Sequence, residues 1–149
     1  MKTKKPKIKT FVITVSKKFL AKHPFVGKPT GFKKKILTGE KIHTIRANRK
    51  YWKGIVDKVN SNEAVLSVRQ WKGLPYRSEQ VEIAQFKKLG YQKVIFAKNR
   101  RITIDKKNLF DKKQWTKVAK NDGLTLEQFN DWFPTYFKGC VIHFTDFKY

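Results

Sequence analysis

The sequence predicts a single α+β domain, a small β-barrel with short flanking helices. Three observations predict it. Short runs rich in β-branched and aromatic residues recur along the chain and outnumber the helical patterns. The 149 residues contain no internal repeat and no linker, and that length suits one domain, 1–149. A composition of 40% hydrophobic and 14% aromatic residues supplies a core that needs no disulfide framework, which the lone Cys140 could not form.

Residues 1–9 form a Lys- and Pro-containing arm, suited either to lying along phosphates or to keeping the chain solvated. Residues 10–15 are β-branched and aromatic and make the first strand. A short helix can open the stretch 16–30 before Pro24, Gly27 and Pro29 mark a long loop. Phe32, Ile36 and Leu37 lie at helical spacing, with Lys33, Lys34 and Lys35 as the polar face and Gly39 as the stop. Residues 42–46 alternate like a strand, setting Ile42, Thr44 and Arg46 on one side and His43 and Ile45 on the other. Residues 48–54 read as a basic loop. Ala64–Trp71 and Gln80–Phe86 read as paired strands, and 92–97 with 101–106 as a hairpin that turns near Lys98, Asn99 and Arg100. Asn108 is placed to cap a helix running towards Lys120. Asn121, Asp122 and Gly123 make a turn. Thr125 with Gln128 gives the capping-box pattern for a helix that buries Leu126, Phe129, Trp132 and Phe133. Residues 141–147 close the fold as a strand.

Charge is the strongest compositional signal. Lys and Arg number 35 against 11 Asp and Glu, a net of +24. A lysine-rich surface accounts for many cations but not for so few acids. The imbalance favours a polyanionic partner, because neutralised phosphates release counterions. Residues 1–60 hold 18 of the cations and only two acids, Glu40 and Asp57, so the basic footprint is weighted to that half. An anionic membrane surface is the weaker alternative, since no basic amphipathic helix stands out. No apolar run is long enough to span a bilayer, and the run 11–15 is too short for a signal peptide. A soluble protein of a reducing, cytoplasmic compartment is the expectation.

The densest chemistry lies in 39–46. Lys41 near other cations has a lowered pKa and can serve as a base, a hydroxyl such as Thr44 beside it can serve as a nucleophile, and Arg46 offers a planar fork of donors. The same three residue types also occur in any basic strand, so chemistry alone leaves both readings open.

Gly39, Lys41, Thr44 and Arg46 together resemble the G-x-K-x-x-T-x-R signature of the ASCH family. The later stretch of Gly123, Leu124, Thr125 and Leu126, followed by Val141, Ile142, His143 and Phe144, resembles the end of that domain, where a Thr-Leu helix leads to a final apolar strand. The resemblance implies a PUA-like barrel and an RNA-interacting module, so RNA or a nucleotide is the expected partner. Compact bacterial members are amidohydrolases of N4-acetylcytidine, and RNA cleavage has been linked to others. For an enzyme of the first kind the resemblance implies Lys41 as base and Thr44 as nucleophile. The position of the family's glutamate falls on Asp122, whose side chain is one methylene shorter. Ordinary turn chemistry also accounts for an aspartate there.

Aromatics mixed with cations extend the expected ligand surface. Arg49, Tyr51 and Trp52 follow the signature, and Arg69, Trp71, Tyr76 and Arg77 occupy the hairpin 69–77. Such surfaces stack unpaired bases and hold phosphates, although any one of these rings could equally pack on the domain. His23, His43 and His143 show no metal-ligand spacing, so no metal or other cofactor is expected. Cys140 reads as a packed residue rather than a nucleophile.

Overall fold

The computed structural model describes residues 7–97 and 101–149. The expected turn at Lys98, Asn99 and Arg100 and the first six residues of the basic arm lie outside them. The elements run β1 (Lys9–Thr14), α1 (Phe32–Leu37), β2 (His43–Arg46), α2 (Arg49–Asn60), β3 (Ala64–Trp71), β4 (Gln80–Phe86), β5 (Gly90–Phe96), β6 (Ile102–Ile104), β7 (Lys107–Leu109), α3 (Lys112–Asn121), α4 (Leu126–Trp132) and β8 (Phe137–His143).

The strands form two sheets, so the α+β class holds. One has the order β1-β3-β4, with β1 parallel to β3 and β3 antiparallel to β4. The other has the order β2-β8-β5-β6-β7 and is antiparallel throughout. Among the described residues no continuous ladder joins the sheets into a closed barrel. A side chain spans one seam: Arg46 Nη2, on β2, donates to the Thr14 carbonyl of β1 at 2.6 Å. At the other seam, Asn60 pins the β4–β5 connection, donating to the Leu89 carbonyl and accepting from its N–H, both at 2.9 Å.

Alternation along the strands places Ile13, Leu66 and Val68 from the first sheet against Val94, Phe96 and Val141 from the second, all buried. Phe86 stacks on Phe144, with centroids 4.6 Å apart. Helix α2 closes this core. Trp52, Ile55, Val56 and Val59 fall on one face, and the last three are buried.

Several expectations need correction. The basic stretch 48–54 is no loop. Asn48 adopts φ +60, its side chain accepts from the Tyr51 N–H at 3.3 Å, and a helix of 12 residues follows. Gly54 sits on the exposed side of that helix, where its low propensity is offset by the buried stripe. The third helix begins later than expected. Asp111, not Asn108, caps it in a box with Gln114, and Asn108 belongs to β7. The last strand runs Phe137–His143 instead of 141–147, because pairing with both β2 and β5 holds those residues in register. No helix opens 16–30. That stretch folds back on itself through a bridge between Lys18 and Pro29.

Candidate functional site

The site grows from the end of α3. Asp122 is the C-cap, and Gly123 follows with φ +81. The Gly123 N–H bonds the Lys120 carbonyl and the Leu124 N–H bonds that of Ala119, a Schellman motif. A Cβ at Gly123 would stand 3.2 Å from the Lys41 side chain, so glycine both supplies the left-handed turn and admits the lysine. The Ile42 N–H donates to the Asn121 carbonyl at 2.8 Å and docks the start of β2 against this turn.

Lys41 is buried there. Its Nζ donates to the Asp122 carbonyl at 2.6 Å and to Asp122 Oδ1 at 3.1 Å, and it lies 4.4 Å from the centre of the Phe32 ring. His43, also buried, places Nδ1 3.3 Å from the same Oδ1. A carboxylate only accepts, so Nδ1 carries the proton and Nε2 accepts from the Tyr149 hydroxyl at 2.6 Å. That hydroxyl in turn accepts from Asn121 Nδ2 at 3.0 Å. Gln92 holds Tyr149 by its main chain, donating to its carbonyl at 3.0 Å and accepting from its N–H at 2.9 Å. His143 Nε2 donates to the same Gln92 Oε1 at 2.9 Å, and His143 Nδ1 is buried with no partner among the described residues.

Burial sets the protonation of these groups. It lowers the Lys41 pKa, with the Asp122 carboxylate opposing. It lowers that of His43 as well, against the pull of Asp122, and keeps the ring neutral. For Asp122 burial acts upward, but the Lys41 ammonium and the His43 hydrogen bond outweigh it and leave the carboxyl below its ordinary range. Burial brings His143 down to about 3. It raises the Tyr149 phenol.

Thr44 points to the opposite strand face, as alternation requires. Its hydroxyl accepts from Arg46 Nε at 3.4 Å, and no hydrogen bond joins it to Lys41 or Asp122. The expected trio therefore separates into a Lys41–Asp122 pair with His43 and a Thr44–Arg46 pair. Desolvation by burial lowers the Arg46 pKa against the field of Asp122. Cys140 is packed, its Sγ–H donating to the Arg46 carbonyl at 3.5 Å, and burial raises its thiol to about 11. Neither Lys41, Thr44 nor Asp122 lines any of the four main surface clefts among the described residues.

The outlying residues divide in the same way. Arg49 turns inward, donating from Nε to the Gly139 carbonyl at 2.7 Å and from Nη2 to that of Val94 at 3.1 Å. Trp52 packs on the core, edge-on to Tyr51. Arg69 is engaged by Ser67 and Gln80. Trp71 and Tyr76 pair with centroids 5.1 Å apart, and Tyr76 is 89% exposed at φ +61. Arg77 and Lys72 are exposed beside them.

Sequence reasoning did not find His43, Gln92, His143 or Tyr149. His43 and His143 face each other only because β2 pairs with β8 across about a hundred residues. No local spacing carries that information. Among the described residues no group of His, Cys, Asp and Glu is arranged to hold a metal ion, and no helix is long and apolar enough to cross a membrane. No protein-family model, curated protein or solved structure matches the chain.

Proposed function

We propose that this protein binds single-stranded RNA, or a nucleotide carried on it, as an ASCH-type, PUA-like domain of the cytoplasm. One observation carries the reading. Tyr76 stands exposed on the β3–β4 loop with Lys72 and Arg77 and packs against the half-buried Trp71 at the end of β3, in a chain of net charge +24. An exposed ring beside cations suits an unpaired base and its phosphates. Fluorescence anisotropy with a labelled oligoribonucleotide at stepped salt tests this. Affinity should fall steeply with salt, and Trp71→Ala with Tyr76→Ala should weaken it by about 1–3 kcal/mol for each base unstacked. Absence of binding even at low salt ends the proposal.

A second reading is an amidohydrolase of an acylated pyrimidine nucleoside. It is favoured by the buried Lys41–Asp122 contact, in which a lysine of lowered pKa meets a carboxylate. Thr44 would attack the amide carbon, Lys41 in its neutral form would take the hydroxyl proton, Asp122 would help move that proton to the leaving amine, and water would then hydrolyse the acyl group from Thr44. This requires the Thr44 hydroxyl to leave Arg46 and come within hydrogen-bond reach of Lys41. Conversion of N4-acetylcytidine to cytidine that disappears in Lys41→Ala and Thr44→Ala supports the reading. No turnover, or turnover indifferent to both changes, rejects it.

A further inference from the structure

We infer that the cleft between α1 and the 17–31 loop is a binding site for one unpaired base and its flanking phosphates. This rests on the RNA-binding reading and names where the nucleic acid sits. The cleft is open to solvent and has a volume of about 520 Å³, inside the roughly 300–1,000 Å³ range of ligand pockets. Pro29, Phe32 and Leu37 give it an apolar floor, while Lys17, Lys33 and Lys34 stand around the rim. No carboxylate lines it. Leu37 is 61% exposed on a helix that is otherwise lysine-rich, so most of its apolar surface is left uncovered by the described residues.

An apolar floor inside a ring of ammonium groups matches the chemistry of a nucleotide, a flat ring joined to anions. A cationic or neutral apolar partner would leave three lysines uncompensated.

Two further contacts connect the cleft to its surroundings. Lys17 Nζ donates to the Lys72 carbonyl at 3.1 Å and ties the β3–β4 loop to the rim. Gln70 also lines the cleft. The Lys17 contact sets the loop that carries Tyr76 beside this rim. On its inner side, Phe32 is the ring that Lys41 Nζ approaches, so this side chain separates the cleft from the buried ionic centre.

The test compares a labelled oligouridylate with an abasic oligomer of equal length, on the wild type, on Leu37→Asp and on the double variant Lys33→Glu, Lys34→Glu. All three positions are exposed. Wild type should bind the oligouridylate at least tenfold more tightly than the abasic oligomer. Leu37→Asp should abolish that preference, and the charge reversal should lower affinity for both at least tenfold. Photocrosslinking with 4-thiouridine in the oligomer should label the peptide spanning 29–38 in the wild type, which needs no variant to fold. If the wild type binds no oligonucleotide, the RNA reading itself falls. If it binds but the variants bind equally well, prefers neither oligomer, or crosslinks only outside 29–38, the cleft assignment is overturned while RNA binding stands.

Discussion

The Tyr149 hydroxyl donates to His43 Nε2 across 2.6 Å, and this one bond sets the tautomer of the ring that supports Asp122. The donors run in one direction, from Asn121 to Tyr149, from Tyr149 to His43, and from His43 to the carboxylate, where the Lys41 ammonium also ends. Each group in such a chain is polarised by the next. Removing the hydroxyl by Tyr149→Phe leaves His43 Nε2 buried without a donor while keeping the ring contacts. The unfolding free energy should fall by about 1–3 kcal/mol, measured in urea. A variant as stable as the wild type would show that water or another group replaces the bond.

The Lys41–Asp122 pair should be strongly coupled. Asp122→Ala leaves a lysine in a buried site without its anion, a situation that costs about 3–5 kcal/mol. Replacing Lys41 by Met at the same time removes the stranded charge and keeps much of the packing on Phe32. The double variant should therefore be more stable than the sum of the two single losses predicts. Additivity within about 0.5 kcal/mol in the double-mutant cycle would count against an ion pair at this position.

Acid should weaken the fold well before the carboxylates titrate. His143 ionises at about 3 in the folded state and near 6.5 when unfolded. Between those values the unfolded chain binds more protons, so stability falls as the pH drops through that window. Asp122 works in the same direction but lower down, since a depressed carboxyl loses its contribution only as the pH falls below about 4. His143→Phe removes this buried neutral ring. The loss of unfolding free energy between about pH 7 and pH 4.5 should be shallower in this variant. An unchanged slope would assign the acid sensitivity elsewhere.

Local chemistry explains which parts of this fold were readable in advance. Ala64–Trp71 and Gln80–Phe86 appear with the bounds their β-branched alternation predicts, and the Thr125–Gln128 capping box is present. Helix α2 was hidden because Gly54 and a cluster of basic and aromatic residues resemble a loop. The stripe of Trp52, Ile55, Val56 and Val59 was the signal that could have revealed it. In the candidate site, the contact of Lys41 with Asp122 follows the expected grouping. The alternation of 42–46 already implied that a group meeting His43 would stand across the strand from Thr44. Register over long separations, as between His43 and His143, and the return of Tyr149 onto Gln92 are tertiary outcomes with no local signature.

Arg46 carries the remaining prediction, because it serves the fold and the candidate site together. Its Nη2 bridges to β1 through the Thr14 carbonyl while its Nε reaches Thr44, and two bonds in different directions need the planar fork of a guanidinium. A lysine at this position keeps the charge but is a single point donor on a flexible stem. It cannot reach the Thr14 carbonyl and the Thr44 hydroxyl in the same geometry. Arg46→Lys should therefore lose about 1.5–3 kcal/mol, the range for hydrogen bonds made by charged groups, despite being conservative in charge. Arg46→Met, which also removes the buried cation, should not be much worse, since the cost of desolvating that cation disappears with it. Urea unfolding of both variants measures this. A stable Arg46→Lys beside a strongly destabilised Arg46→Met would mean that charge, rather than the forked bridge between the two sheets, is what the position supplies.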